Sequence, residues 1–194
     1  MILHTMKLFR RMPASLTALA AVAAVVLAVA PAAAASQPAP DKATAKFEVR
    51  FLTGMIDHHA MAIEMAEACL ENAEHPELEA MCEQIIAAQS QEIETMQSWL
   101  ADWYGIAYAP EMKPGEMRMI EKLASLSGAD FEISFMEMMI RHHRMAIMEA
   151  ERCLDRAGHG ELRAMCGDIV AAQTAEIEQL QAWLCEWYGR CRDQ

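Results

Sequence analysis

Met55-Ile-Asp-His-His-Ala-Met-Ala-Ile63 returns 84 positions later as Met139-Ile-Arg-His-His-Arg-Met-Ala-Ile147. The same offset relates His75 to His159, and Ala87-Ala-Gln-Ser-Gln-Glu-Ile-Glu94 to Ala171-Ala-Gln-Thr-Ala-Glu-Ile-Glu178. Sliding residues 51–105 onto 135–189 needs no gap. Roughly six in ten aligned positions are identical, far above what two unrelated amphipathic helices share. The chain is a tandem duplication that kept its histidines. A unit of this size cannot bury its apolar face alone, so the fold turns on how one copy covers the other.

Within the first copy, residues 46–72 have helical periodicity. Steps of ~100° put Leu52, Met55, His59, Ala62, Ile63, Ala66, Cys69 and Leu70 on one broad face, with Asp57, Glu64, Glu67 and Glu71 opposite. His75-Pro76 breaks the helix, and proline suits the first turn of the next one. Residues 77–103 are again helical, with Leu78, Met81, Ile85, Ile93, Met96, Leu100 and Trp103 inward, and Gly105 fits a helix terminus. The second copy repeats this at 131–156 and 160–188. Residues 46–105 and 131–189 are therefore two helical hairpins, and facing one another they predict an all-α, ferritin-like four-helix bundle. Residues 106–130 form a linker carrying Pro110 and Pro114, with a short helix expected over 116–127, and 190–194 form a tail.

Lys7, Arg10 and Arg11, an uncharged Ala/Val/Leu run from Leu16 to Ala30, and Ala33-Ala34-Ala35 before Ser36 read as a signal peptide over 1–35. Residues 36–45, rich in Pro and Ala, read as a flexible tether. Without the three leader cations, the formal charge moves from −12 to −15, which argues against nucleic acid or an anionic membrane as partner. All six cysteines lie in the exported part, where an even count favours disulfides. Equal height across each hairpin selects Cys69 with Cys82 and Cys153 with Cys166, leaving Cys185 with Cys191. Thiolate ligation of a soft metal is the competing use of these side chains.

Gln89 and Glu92 fall on the apolar face of the second helix, and Gln173 and Glu176 repeat them. A buried carboxylate without a partner costs several kcal/mol. At the height of Glu92 the opposing helix offers His58 and His59, and Glu176 likewise faces His142 and His143, so carboxylate–imidazole contacts are expected. Met61 and Met65 lie toward the His58 side, with Met55 between the two histidines. The second copy supplies Met139 and Met145, with Met136 and Met138 just ahead. Thioether and imidazole donors suit Cu(I), and by extension Ag(I), rather than Mg or Ca. A methionine stripe alone is more often core filling, and adjacent helical residues diverge by ~100°. The metal reading rests on His, Met, Glu and Gln converging at one level in both copies. His75 and His159, in the turns, read as solvent-facing helix-start residues.

The string M-I-x-H-H-x-M-A-I, followed by a turn histidine and A-A-Q-x-x-E-I-E-x-M-x-x-W-L, resembles the domain of unknown function 305 family, a set of exported bacterial ferritin-like helical proteins. The likeness runs from Phe47 to Gly189. Members of that family are linked to copper binding and copper tolerance through Met and His side chains. Carried over residue by residue, the resemblance implies Met55, His58, His59, Met61, Met65 and Met96 as ligands, then Met139, His142, His143 and Met145. Gln89, Glu92, Gln173 and Glu176 stand behind them. Glu149 replaces the Met65 equivalent and Leu180 the Met96 equivalent, so the second copy offers fewer soft donors.

The expectation is a periplasmic or secreted protein that binds Cu(I), with silver as analogue, for copper buffering, tolerance or delivery. It implies no organic cofactor and a copper-handling protein as partner; the oligomeric state is left open. The competing reading is a structural or stress-related interaction module whose His-Glu pairs are satisfied core groups. An enzyme is not expected: a di-iron site wants Glu-x-x-His on two helices, and the residues three before His58 and His142 are Met55 and Met139.

Overall fold

Asp41 decides where the first helix begins. Its carboxylate accepts from the amides of Ala43 and Thr44 at 2.8 and 3.1 Å, satisfying two donors that a helix start leaves unpaired. Helix α1 therefore runs Lys42–Asn72, and four residues assigned to the tether are helical. In the computed structural model, which describes residues 37–191, it is followed by α2 (Pro76–Tyr104), α3 (Pro114–Ala124), α4 (Gly128–Arg156) and α5 (Gly160–Tyr188). The signal-peptide reading at 1–35, residue 36 and tail residues 192–194 lie outside the described residues. Pro76 opens α2, and Pro114 opens α3 two residues earlier than expected. Gly105 and Gly189 end α2 and α5 at φ 67° and 65°, a left-handed conformation that glycine adopts without a Cβ penalty.

The hairpins α1–α2 and α4–α5 pack antiparallel through α1 and α4. Each carries its expected cross-link, Cys69–Cys82 and Cys153–Cys166, and Cys185–Cys191 closes the end of α5. No described cysteine is left as a thiolate ligand. In the chain-entropy account each of the first two loops contributes about 3 kcal/mol.

The core is split in two. The turn end of the first hairpin (Met65, Cys69, Leu78, Ile85) packs on the open end of the second (Phe131, Phe135, Met139, Leu180). The open end of the first (Phe47, Leu52, Met96, Leu100) packs on the turn end of the second (Ala150, Cys153, Leu162, Ile169). Every helix of the bundle crosses from one cluster to the other at a polar layer: between Ile56 and Ala62, Ile85 and Ile93, Ile140 and Ala146, and Ile169 and Ile177. The layer holds His58, His59, Gln89, Glu92, His142, His143, Gln173 and Glu176.

Two carboxylates fasten the ends. Glu48 of α1 is fully buried; its Oε1 accepts from the Gly158 and His159 amides at 2.6 and 3.0 Å. Its Oε2 accepts from the Tyr104 hydroxyl and lies 2.6 Å from His159 Nδ1. Glu132 of α4 does the same with the Glu74 and His75 amides, the Tyr188 hydroxyl and His75 Nδ1. The turn histidines are thus not solvent-facing. Their side chains are 36% and 15% exposed, and their rings lie flat on Trp187 and Trp103 at 3.9 and 3.7 Å. Because each neutralises a buried carboxylate of the other hairpin, exposure would leave that charge unpaired. His159 Nε2 also lies 2.8 Å from the Gln37 carbonyl, and Ala39 is buried, which ties down the segment read as a loose tether.

Candidate metal centre

Glu92 and Glu176 resolve their desolvation as the hairpin register requires. Glu92 Oε2 is hydrogen-bonded to His59 Nε2 at 2.6 Å, and Glu176 Oε2 lies 2.6 Å from His143 Nε2, close but out of line for a hydrogen bond. His59 and His143 are fully buried. Gln89 and Gln173 are buried too, each with its amide oxygen unpartnered. These four residues orient the layer from behind.

His58 and His142 stack on one another with ring centroids 3.5 Å apart. All four of their ring nitrogens are buried without a hydrogen-bond partner. Burial drives the His58 imidazole down to about 3, with the neighbouring His59 and His143 rings adding to the shift. His142 is held well below the ordinary range for the same reason, with His58, His143 and His59 reinforcing it. Both rings are neutral at ordinary pH and keep free lone pairs. Orphaned buried acceptors of this kind are costly and call for a ligand.

The methionines are divided by the register between hairpins, not by repeat. A cavity of about 350 Å³ between α1, α3 and α4 is lined by Met61 and Met65 from the first hairpin, Met119 from α3, and Met138, His142 and Met145 from the second hairpin. A second cavity along the same seam holds Met55, His58, Met145 and Glu149, with Gly54 where the first has Met138. The grouping of Met55, His58, Met61 and Met65 as one set within the first hairpin is thereby corrected. Antiparallel packing of α1 on α4 carries Met61 and Met65 toward His142 and leaves His58 with Met55. Met96 and Met139 are fully buried in the two apolar clusters and line neither cavity. Met145 is 53% exposed at the rim of both.

Sequence reasoning missed Met138, placed only ahead of the site, and Met119, whose helix has no counterpart in the other repeat. It also missed Glu48 and Glu132. The 84-residue offset extends to Phe47-Glu48 and Phe131-Glu132, a signal hidden when helix carboxylates are read as solvated surface. Among the described residues no three His, Cys, Asp or Glu side chains are arranged to hold a metal ion. The donors that fit are thioethers with one imidazole, a set suited to soft monovalent ions.

A comparison with curated proteins gives no match. Among solved structures, CopM in its Cu(I)-bound form is 34% identical, over 73% of this chain and 98% of that one, with a TM-score of 0.66. The Ag-bound and Cu(II)-bound forms of CopM superpose equally well, at 0.66. A DUF305 fragment from Deinococcus radiodurans is 26% identical over 77% of this chain and 99% of that one, with a TM-score of 0.65. The family described as Domain of unknown function (DUF305) matches residues 48–184, and the chain belongs to that family.

Proposed function

We propose that this protein binds a monovalent soft cation, Cu(I) or its analogue Ag(I), in the cavity between its hairpins, and that it buffers or delivers copper outside the cytoplasm. The observation that carries the reading is the company His142 keeps. A buried, neutral imidazole with both nitrogens unpartnered stands in a cavity lined by Met61, Met65, Met119, Met138 and Met145. Thioethers bring no charge to offset a hard dication but are good donors to a polarisable monovalent ion. The likeness to CopM, solved with Cu(I) and with Ag bound, supports the same ligand class. Three disulfides support an oxidising compartment, the periplasm or beyond.

We read the protein as a carrier and not an enzyme. Thioethers neither give nor take protons, and an imidazole held as low as about 3 is a weak base. Transfer to a copper-handling protein is the natural use of an ion held at an exposed rim such as Met145. The test is anaerobic competition for Cu(I) against a colorimetric chelator, with Zn(II) as control. The protein should withdraw Cu(I) from the chelator and leave Zn(II) with its own indicator. Failure to compete for Cu(I), or equal withdrawal of Zn(II), overturns the reading.

A further inference from the structure

The segment after α2 does something in the first repeat that has no counterpart in the second. Residues 106–111 run without regular structure along the outside of the first hairpin. The Tyr108 hydroxyl donates to both Asp57 oxygens at 3.0 and 2.9 Å, and the Glu111 amide donates to Asp57 Oδ1 at 2.8 Å. The Gln97 side-chain amide donates to the Tyr108 carbonyl at 2.9 Å. Beneath them Ile56 and Leu100 are 0% exposed.

Eighty-four residues on, the floor of this groove is repeated and the filling is not. Ile140 and Leu184 take the places of Ile56 and Leu100, and each is now 6% exposed beneath a cavity of about 310 Å³. Gln181 repeats Gln97. Arg141 stands in the place of Asp57, and Arg190 in that of Ile106, paired with Glu137 at 2.9 Å. Arg144 lines the groove as well. In a chain of formal charge −12, three guanidiniums around one carboxylate are a local reversal of sign.

We propose that this groove on the second hairpin is a docking site for an extended acidic segment of a partner protein, seated as residues 106–111 are seated on the first hairpin. The filled copy supplies the template. There the helix carries the anion and the segment brings the donors, Tyr108 and the Glu111 amide. Here the helix carries the cation, so the segment brings a carboxylate for Arg141 and a backbone carbonyl for the Gln181 amide. Glu137 and Arg141 also line the methionine cavity, so the seated segment lies beside that cavity's rim. The assignment rests on the repeat geometry and is independent of what the cavity binds.

The test uses the whole protein and a fluorescein-labelled hexapeptide that keeps the order of residues 106–111 but carries aspartate in place of the tyrosine, read by fluorescence anisotropy. A control peptide carries lysine there. The wild type should bind the acidic peptide about tenfold more tightly than the control, with a preference that shrinks as salt rises. Arg141→Asp installs the residue the first repeat uses, so the fold should persist. That variant should lose the acidic peptide by about tenfold and gain affinity for the unaltered tyrosine peptide. Gln181→Ala should weaken every peptide alike. A wild type that does not distinguish acidic from lysine peptide, or an Arg141→Asp variant with unchanged preference, overturns the proposal. So does a dimer in sedimentation that Arg141→Asp dissociates, which gives the groove to a second copy. Peptide binding seen only after removal of residues 192–194 also overturns it, giving the groove to the chain's own tail.

Discussion

His58 and His142 hold the same place in the two repeats, and they stack on each other with ring centroids 3.5 Å apart. A local twofold axis therefore passes between them, where α1 crosses α4 antiparallel. Two like cavities follow, one on each side of the axis along the same seam. Duplication made them alike, and substitution has made them unequal: Met65 faces Glu149 across the symmetry, and Met138 faces Gly54.

The first prediction follows from which imidazole serves which cavity. His142→Ala should weaken Ag(I) or Cu(I) binding by roughly tenfold or more, as loss of a ligand or its support does. His58→Ala should cost less, because its ring lies with Met55 and Glu149. Chelator competition run beside urea unfolding of the same variants separates affinity from stability. An equal or larger loss from His58→Ala would place the ion on the other side of the axis.

The bundle itself was legible because helical period and the 84-residue offset are both properties of a linear string. Cys69–Cys82 and His59–Glu92 were legible for a related reason: within a hairpin, a known turn fixes which positions stand level. The packing of one hairpin on the other was not legible. Nothing in the period of α1 says that Met61 will meet His142 and not His58, since that depends on which rows of two helices interlock. His75 and His159 were misread on the same account, because their partners Glu132 and Glu48 belong to the other hairpin.

Those two carboxylates give a stability prediction. Glu132→Ala strands the buried amides of Glu74 and His75 along with the Tyr188 hydroxyl, and should cost about 3 kcal/mol. Glu48→Ala should cost a similar amount through Gly158, His159 and Tyr104. The clamps share no partner, so the double variant should lose close to the sum. Urea midpoints at constant m-value measure this. A loss under 1 kcal/mol in each would show that the ends are held by packing alone.

The same residues set an acid limit. Burial pushes the Glu48 carboxyl up, but the Tyr104 hydroxyl, the His159 amide and ring and the Gly158 amide together outweigh it and hold the group below its ordinary 4.5. Glu132 is held low by Tyr188, His75 and Glu74 against the same burial. A folded value below the unfolded one means that the contribution is present in full above about 4.5 and is lost as pH falls through the folded value. Urea midpoints should be flat from about pH 7 to 5 and decline below that. A Glu48→Gln, Glu132→Gln double variant should start lower and decline less. A decline parallel to the wild type would assign the acid sensitivity to other carboxylates.

The inequality of the two cavities can be reversed. Gly54→Met with Glu149→Met would give the cavity around His58 the thioethers that its symmetry mate has in Met138 and Met65. Neither change should harm the fold. A Cβ at Gly54 meets nothing within 4 Å, and replacing an interior helical glycine gains up to about 1 kcal/mol of helix propensity. Glu149 is exposed, and its pairing with Arg152 across one turn is worth a few tenths of a kcal/mol at most. The wild type should take up one tightly held Ag(I), and the double variant two, counted by elemental analysis after gel filtration. The reciprocal change, Met65→Glu, copies the second repeat's residue into the soft cavity and should remove the tight ion without adding another. If the double variant still holds a single ion while Met65→Glu loses its own, thioethers are necessary for binding but the missing α3 on the other side is what limits it. If neither substitution changes the count, the ion is not held by these side chains.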